Sequence, residues 1–147
     1  MIRPNPWNSY RNVAMQTAPK GQLVLMLFDG AIRFLEQARL GFQKDDPAEF
    51  NQTISNNVLH AQEILHELNV SLNLELGGEL AANLRRLYDY LDRRLMESNL
   101  KKDPAGITET LERLGVLREA WSTMLGNQAS GTSPDPAVFT RGELAAA

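Results

Sequence analysis

The feature that most constrains the fold is helical periodicity in four long segments of the chain. Apolar residues recur every three or four positions in each segment, which is typical of amphipathic helices. The segments begin near Pro19, Asp46, Glu79 and Asp103, and the last one ends near Leu125. Short links between such helices favour antiparallel neighbours. The sequence therefore predicts an all-α fold, an antiparallel four-helix bundle with a short N-terminal helix or latch segment.

The boundaries of the segments carry helix-start and helix-stop signals. Asp46 and Asp103 are each followed by proline, which combines an N-cap residue with a favoured first helical residue. The Gly77-Gly78 pair ends the second segment and could act as a hinge. The sequence after Leu125 is rich in Gly, Ser, Thr and Pro, which is typical of a flexible tail. The predicted organisation is an N-terminal latch segment over 1–16, a four-helix bundle domain over 17–126 and a flexible tail over 127–147.

The apolar stripes predict which side chains form the core. The stripe of the first segment is wide, which predicts a central helix contacted from several sides. Tyr88 is placed on the flank of the third stripe. The predicted core-facing residues are Leu23, Met26, Leu27, Phe28, Ala31, Phe34, Leu35, Ala38 and Phe42 in the first segment; Phe50, Ile54, Val58, Ala61, Leu65, Leu68 and Leu72 in the second; Leu80, Leu84, Leu87, Leu91 and Leu95 in the third; and Ile107, Leu111, Leu114, Trp121 and Leu125 in the fourth.

Composition narrows the class of protein. The chain has 147 residues, enough for one domain with a real core, and no cysteine, which excludes disulfides and thiol catalysis and fits a reducing compartment. Its net charge of −3 argues against a nucleic-acid binder. The longest apolar run, Leu23 to Phe28, is far too short for a membrane span, and the N-terminus has no apolar core of signal-peptide length. We expect a soluble protein of the cytosol.

No set of residues indicates an enzyme, a metal centre or a bound cofactor. A di-iron bundle needs a Glu-x-x-His pair on each of two helices, and this chain has only one, Glu63 to His66. The only other histidine, His60, lies on the same segment, so both histidines are predicted to be solvated surface residues. No serine has a credible base beside it. We therefore predict no catalytic residues, no metal ligands and no cofactor.

The basic-looking stretch from Arg85 to Leu95 is interpreted as a ladder of ion pairs. Arg85 with Asp89, Asp89 with Arg93, and Arg93 with Glu97 are spaced four residues apart, a spacing at which opposite charges stabilise a helix by roughly 0.2–0.5 kcal/mol per pair. This interpretation is preferred to a phosphate-binding patch.

Apolar residues that point away from the stripes are the candidates for binding. At about 100° per residue the outward set is Leu59, Val70, Tyr90, Met96 and Val116. Several such residues on neighbouring helices could form a groove for an amphipathic partner. Single exposed apolar residues are also common on ordinary surfaces, which is the alternative.

The N-terminal stretch NPWNSY places Trp7 and Tyr10 between prolines and ahead of the first helix. Burial of one aromatic side chain contributes roughly 1.5–3 kcal/mol, so both rings need a surface to cover. They are either a permanent cap on one end of the bundle or a latch that covers the groove until a partner displaces it.

Long stretches of the chain resemble the FliS family, the cytoplasmic export chaperones of flagellin. The stretches are NPWNSY, TAPKGQLVLMLFDGAIRFLEQA, LNLELGGELAANLRRLYDYLDRRL and SNLKKD, and the likeness extends from about Asn5 to Leu125. Phe28 and Trp7 stand where the family commonly has tyrosine, which keeps a ring but removes a hydroxyl.

The resemblance implies binding of a client protein. The implied client is the disordered C-terminal region of flagellin, which becomes helical around the bundle and is kept from polymerising before delivery to the flagellar type III export apparatus. The resemblance ties Tyr10 to client binding. It also implies contacts with the export-gate protein FlhA and with the regulators FlgM or FliW. A helical adaptor that scaffolds other flagellar or regulatory proteins is the alternative function, and the oligomeric state is open between a monomer and a weak, swapped dimer.

Overall fold

The computed structural model describes residues 20–72 and 74–129, with the side chains of 21–72 and 77–127. Within this part of the chain the structure is helical, and the predicted all-α four-helix bundle is confirmed. Trp7, Tyr10, the predicted latch and the chain beyond residue 129 lie outside the described residues. The helices are α1 (Lys20–Gly41), α2 (Pro47–Val70), α3 (Leu74–Lys101) and α4 (Ala105–Ala129).

The contacts between helices show that neighbours run antiparallel. On the α1–α2 side, the rings of Phe42 and Phe50 lie 5.5 Å apart and those of Phe34 and His60 lie 4.8 Å apart, so later residues of one helix meet earlier residues of the other. On the α4–α1 side, the Trp121 indole Nε1 donates to the Gly21 carbonyl at 2.8 Å.

The helices also run antiparallel at the other two interfaces, α2–α3 and α3–α4. Asn69 of α2 bonds Asp89 of α3, whereas Ser55 bonds Asn99 further along α3. On the α3–α4 side, Arg94 of α3 pairs with Glu109 of α4. Each helix therefore packs mainly against two neighbours in a closed ring, α1–α2–α3–α4. The predicted central position of α1 is wrong. Its wide apolar face packs against two neighbouring helices, α2 and α4.

The predicted helix starts at the Asp-Pro pairs are confirmed. The Asp46 carboxylate accepts from the Glu49 amide at 3.0 Å, with Pro47 at the first helical position. The Asp103 carboxylate likewise accepts from the Ala105 amide at 3.0 Å. These carboxylates satisfy backbone donors that have no partner within the helix itself.

α3 consists of two helical parts that meet at a break at Gly78 (φ 53°, ψ −129°). The break confirms the predicted helix start near Glu79 for the longer part, although the helical range begins at Leu74. Only glycine takes this conformation readily, so one turn precedes the glycine and the rest of α3 follows it. α4 continues to Ala129, past the predicted end at Leu125.

The core is one cluster formed by all four helices. On α3 the buried residues differ from the predicted stripe: Leu80 is 42% exposed, whereas Tyr88 is only 4% exposed. Ala81, the next residue, is fully buried, so Leu80 is exposed because it lies on the edge of the buried stripe, about 100° round the helix from Ala81. The buried α3 positions are Ala81, Leu84, Tyr88, Leu91, Leu95 and Ser98, which alternate by threes and fours.

Candidate partner-binding faces

All five outward apolar residues predicted from the sequence are exposed in the structure. Their exposed fractions run from 37% for Tyr90 to 70% for Val116, with Leu59, Val70 and Met96 between. Sequence reasoning missed Leu100, which is 79% exposed and lies one turn after Met96 on the same side of α3.

Three hydrogen bonds between side chains, which we call polar rungs, join α2 to α3. The Ser55 hydroxyl donates to Asn99 Oδ1 at 2.9 Å, the Gln62 amide donates to Asp92 Oδ1 at 3.1 Å, and the Asn69 amide donates to Asp89 Oδ1 at 2.9 Å. The α2 members are seven residues apart, so the rungs recur every two turns along one edge of α2. The outer edge of this seam is therefore polar, whereas ring contacts line the seam between α1 and α2.

Leu59 and Met96 lie between the same two rungs. Leu59 falls between Ser55 and Gln62 on α2, and Met96 falls between Asp92 and Asn99 on α3. Since both side chains are about half exposed, they lie at one height on the outer side of the seam. With Val70 and Leu100, which share their helix faces by spacing, they form what we call the α2–α3 face: Leu59, Val70, Met96 and Leu100.

A crevice opens on the same face between the Gln62–Asp92 rung and the Asn69–Asp89 rung. Its volume is about 200 Å³, and it lies between the apolar pair Leu59–Met96 and Val70. Its walls are Leu65, His66, Asn69, Tyr88, Asp89 and Asp92.

Tyr90 lies on the other side of α3, on what we call the α3–α4 face. Val116 follows Glu109 by seven residues, about two turns of α4, and shares this face by spacing. The Tyr90 hydroxyl donates to Glu109 Oε2 at 2.7 Å, and Arg94 Nε donates to Glu109 Oε1 at 2.8 Å. The hydrogen bond from Arg94, followed by that from Tyr90, lowers the pKa of the Glu109 carboxyl. The five predicted residues therefore divide into two faces that flank α3, rather than forming one groove.

The predicted ion-pair ladder on α3 is wrong. None of its three pairs forms an ion pair in the described part of the chain. Glu97 instead pairs with Arg94 and Lys101 of its own helix, whereas Arg85 and Asp89 bond to α2. Arg85 Nε donates to Asn69 on α2, and Asp89 accepts from the same amide side chain. Arg94, which the ladder omitted, pairs with Glu109 on α4.

The histidine prediction is half right. His66 is exposed, as predicted, but His60 is half-buried and its ring packs on Phe34. Its Nδ1 lies 3.8 Å from the Glu63 carboxylate. Within residues 20–72 and 74–129 no group of three or more His, Cys, Asp or Glu side chains is placed to hold a metal ion.

Comparisons with known proteins decide the family. A family model described as flagellar protein FliS matches residues 3–128. The chain belongs to the FliS family. It is 33% identical over 128 residues to flagellar secretion chaperone FliS of Bacillus subtilis, a match that spans 87% of this chain and 92% of that relative.

A second FliS relative extends the comparison to another bacterial group. The flagellar secretion chaperone FliS of Salmonella typhimurium is 39% identical over 108 residues, which span 74% of this chain and 78% of that protein. These relatives are chaperones by name and not enzymes. Among the described residues of this FliS-family chain, no helix has an apolar stretch sufficient to cross a membrane.

Proposed function

We propose that this FliS-family chain is a cytosolic, non-enzymatic chaperone that binds the disordered C-terminal region of flagellin. It prevents premature polymerisation and assists delivery to the flagellar type III export apparatus. The observation that carries the proposal is the pair of exposed apolar faces flanking α3 in a chain of this family. Two separate faces suit an extended client that wraps around the bundle better than they suit a compact ligand.

The modest size of each face fits reversible binding. The α2–α3 face presents four apolar side chains along a seam whose outer edge is polar. A disordered client must be ordered on binding, which offsets much of the contact energy. The expected complex is therefore specific but releasable, as delivery requires.

Trp7 and Tyr10 are proposed as a latch that covers part of these faces in the free protein. Trp7 precedes Lys20 by 13 residues, enough for an extended chain to reach roughly 40 Å. Because α1 is fixed at its first turn by the Trp121–Gly21 hydrogen bond, this segment starts from the end of the bundle nearest Val70. FlhA, FlgM and FliW are proposed as further partners.

Mixing the protein with a flagellin C-terminal peptide tests the function. We expect co-purification and a gain of helical circular dichroism. A double variant Leu59→Ser, Met96→Ser should bind at least tenfold more weakly, since each buried apolar side chain contributes roughly 1.5–3 kcal/mol and about 1.4 kcal/mol is tenfold.

Leu40→Ser is the matched control. Leu40 is as exposed as Leu59 but lies on α1, away from both faces. Its substitution should leave affinity unchanged. Absence of binding by the unmodified protein would contradict the chaperone proposal and favour the helical adaptor, whose partners would then be sought among other flagellar or regulatory proteins.

A further inference from the structure

The crevice on the α2–α3 face is bordered by a largely buried tyrosine, Tyr88, whose hydroxyl bonds to no described residue. Tyr88 is 4% exposed, and burial raises the pKa of its phenol. Within the described residues no hydrogen bond involves this hydroxyl. A hydroxyl that has no partner among the described residues is available to a hydrogen-bonding group that enters the crevice.

The hydroxyl retains access to the crevice. Among the described residues the only fully enclosed side-chain oxygen or nitrogen without a partner is Ser98 Oγ. The Tyr88 hydroxyl is therefore not fully enclosed by protein. The crevice is the open space that Tyr88 lines, so the hydroxyl is accessible from it.

The walls of the crevice select a cationic side chain with an apolar stem. Leu65 and the Tyr88 ring supply apolar wall, whereas Asp89 and Asp92 supply carboxylates. Each carboxylate uses Oδ1 for its rung, accepting from Asn69 or Gln62, and its Oδ2 has no bond among the described contacts. Arg85, which donates to Asn69, is the one cation that bonds a wall residue among the described contacts, so the two aspartates leave the crevice with a net preference for a further cation. A purely apolar group would leave the polar rim without partners.

We propose that this crevice binds the side chain of a lysine or arginine in the client segment that occupies the α2–α3 face. This rests on the proposed function, because the basic residue belongs to the chaperone's client. The stem packs between Leu65 and Tyr88 while the charged head donates to the two aspartates, the usual disposition of long basic side chains.

The position of the crevice fixes a spacing in the client. Along α3 the crevice centres near Asp89, about seven residues from Met96, which is roughly 10 Å at 1.5 Å per residue. A helical client lying along this face therefore carries its basic residue about two turns from the apolar residue that contacts Leu59 and Met96.

The first test measures affinity for the flagellin C-terminal peptide at two salt concentrations. The double variant Asp89→Asn, Asp92→Asn keeps the rung acceptors but removes both charges. It should bind about tenfold more weakly and with a smaller salt dependence. Asp45→Asn, an exposed carboxylate in the α1–α2 link, is the control and should bind like the unmodified protein.

Tyr88→Phe separates a binding role from a structural one. It preserves the buried ring and removes the unpaired hydroxyl, so the folded state should be at least as stable. We expect it to weaken peptide binding by a few-fold. Equal affinity for unmodified protein, double aspartate variant and Tyr88→Phe would overturn the crevice proposal while leaving the chaperone function intact.

A second probe does not depend on flagellin. N-acetyl-arginine amide or N-acetyl-lysine amide, added at millimolar concentration, should shift the NMR signals of the Asn69 side-chain amide and the Tyr88 ring. N-acetyl-norleucine amide should not, and the double aspartate variant should abolish the shifts. If neither basic amide shifts these signals, the crevice proposal is wrong even if the flagellin peptide binds. If the signals shift but the flagellin peptide does not bind, only the proposed function fails.

Discussion

Two glycines of α4 have opposite surroundings. A Cβ built on Gly106 would lie 2.5 Å from the Ser98 hydroxyl and would collide with the backbone carbonyl of Arg94. At Gly115 a Cβ would meet nothing within 4 Å. Gly106 is therefore required for the close approach of α3 and α4, whereas Gly115 serves no packing purpose in the described structure.

Alanine substitutions should separate these two roles. Gly106→Ala should lower the free energy of unfolding by about 1–3 kcal/mol, because backbone atoms cannot yield to the added methyl group. Gly115→Ala should raise it by about 0.5–1 kcal/mol through helix propensity alone. Urea denaturation of both variants checks the signs, and a stabilised Gly106→Ala would refute the close contact.

Glu109 makes the stability of the α3–α4 seam depend on pH. Its pKa is lowered in the folded protein, first by the hydrogen bond from Arg94 and then by that from Tyr90. The stabilisation is therefore present above the ordinary carboxyl pKa and is lost as the pH falls through the lowered value. Glu109→Gln should be less stable than the unmodified protein at pH 7, and the difference should shrink below about pH 4.5.

Denaturation measured from pH 7 to pH 3 checks this prediction. Glu112→Gln is the control, since Glu112 is exposed on the same helix. Its difference from the unmodified protein should stay small throughout. A Glu109→Gln difference that grows on acidification would contradict the proposed sign.

At the scale of elements, α3 makes polar contacts along both of its seams. It meets α2 through polar rungs and α4 through the Arg94–Glu109 ion pair, and Gly78 breaks it near its start. Its end is also unusual, since Lys102 has a positive φ of 51° and its ammonium donates to Ser55 and Asn99. Polar, water-accessible seams of this kind belong to the less stable part of a fold, which suits a helix flanked by two binding faces.

Gly78→Ala tests the break in α3. A side chain at φ 53° and ψ −129° is strained, although nothing lies within 4 Å of the added Cβ. The free energy of unfolding should fall by about 1–3 kcal/mol. Gly126→Ala, in regular helix with equally open surroundings, should not be destabilising. An unchanged or more helical Gly78→Ala protein would mean that the break is not required.

For the whole molecule, the chain segments before α1 and after α4 start from one end of the bundle. The antiparallel ring brings the start of α1 beside the end of α4, where Trp121 bonds Gly21 and a Cβ on Gly21 would touch Leu125. Both segments thus begin within reach of the two faces that flank α3.

Removal of the first 12 residues tests the proposed latch. The helices should stay folded by circular dichroism, while binding of an apolar dye or self-association should increase. Outright unfolding would favour a permanent cap by Trp7 and Tyr10. Truncation after Ala129 is the companion variant, and we expect it to leave client affinity unchanged.

The helix starts and the helix count followed from local chemistry. The Asp-Pro caps at Asp46 and Asp103 act within one turn of the chain, and the apolar periodicity acts within one helix, so both could be predicted from sequence alone. The exposure of Leu59 and Val116 followed from the same periodicity. The resemblance to the FliS family likewise lay in stretches of sequence.

Only the tertiary structure decided how the outward residues group. The register between α2 and α3 places Leu59 beside Met96 and assigns Tyr90 to the other side of α3, and this register is set by contacts between residues distant in sequence. The same register keeps Arg85 and Asp89 out of the expected ion-pair ladder, because it brings Asn69 of α2 within hydrogen-bonding distance of both. The crevice beside Tyr88 exists for the same reason, since its walls come from two helices whose alignment the periodicity of either one leaves free.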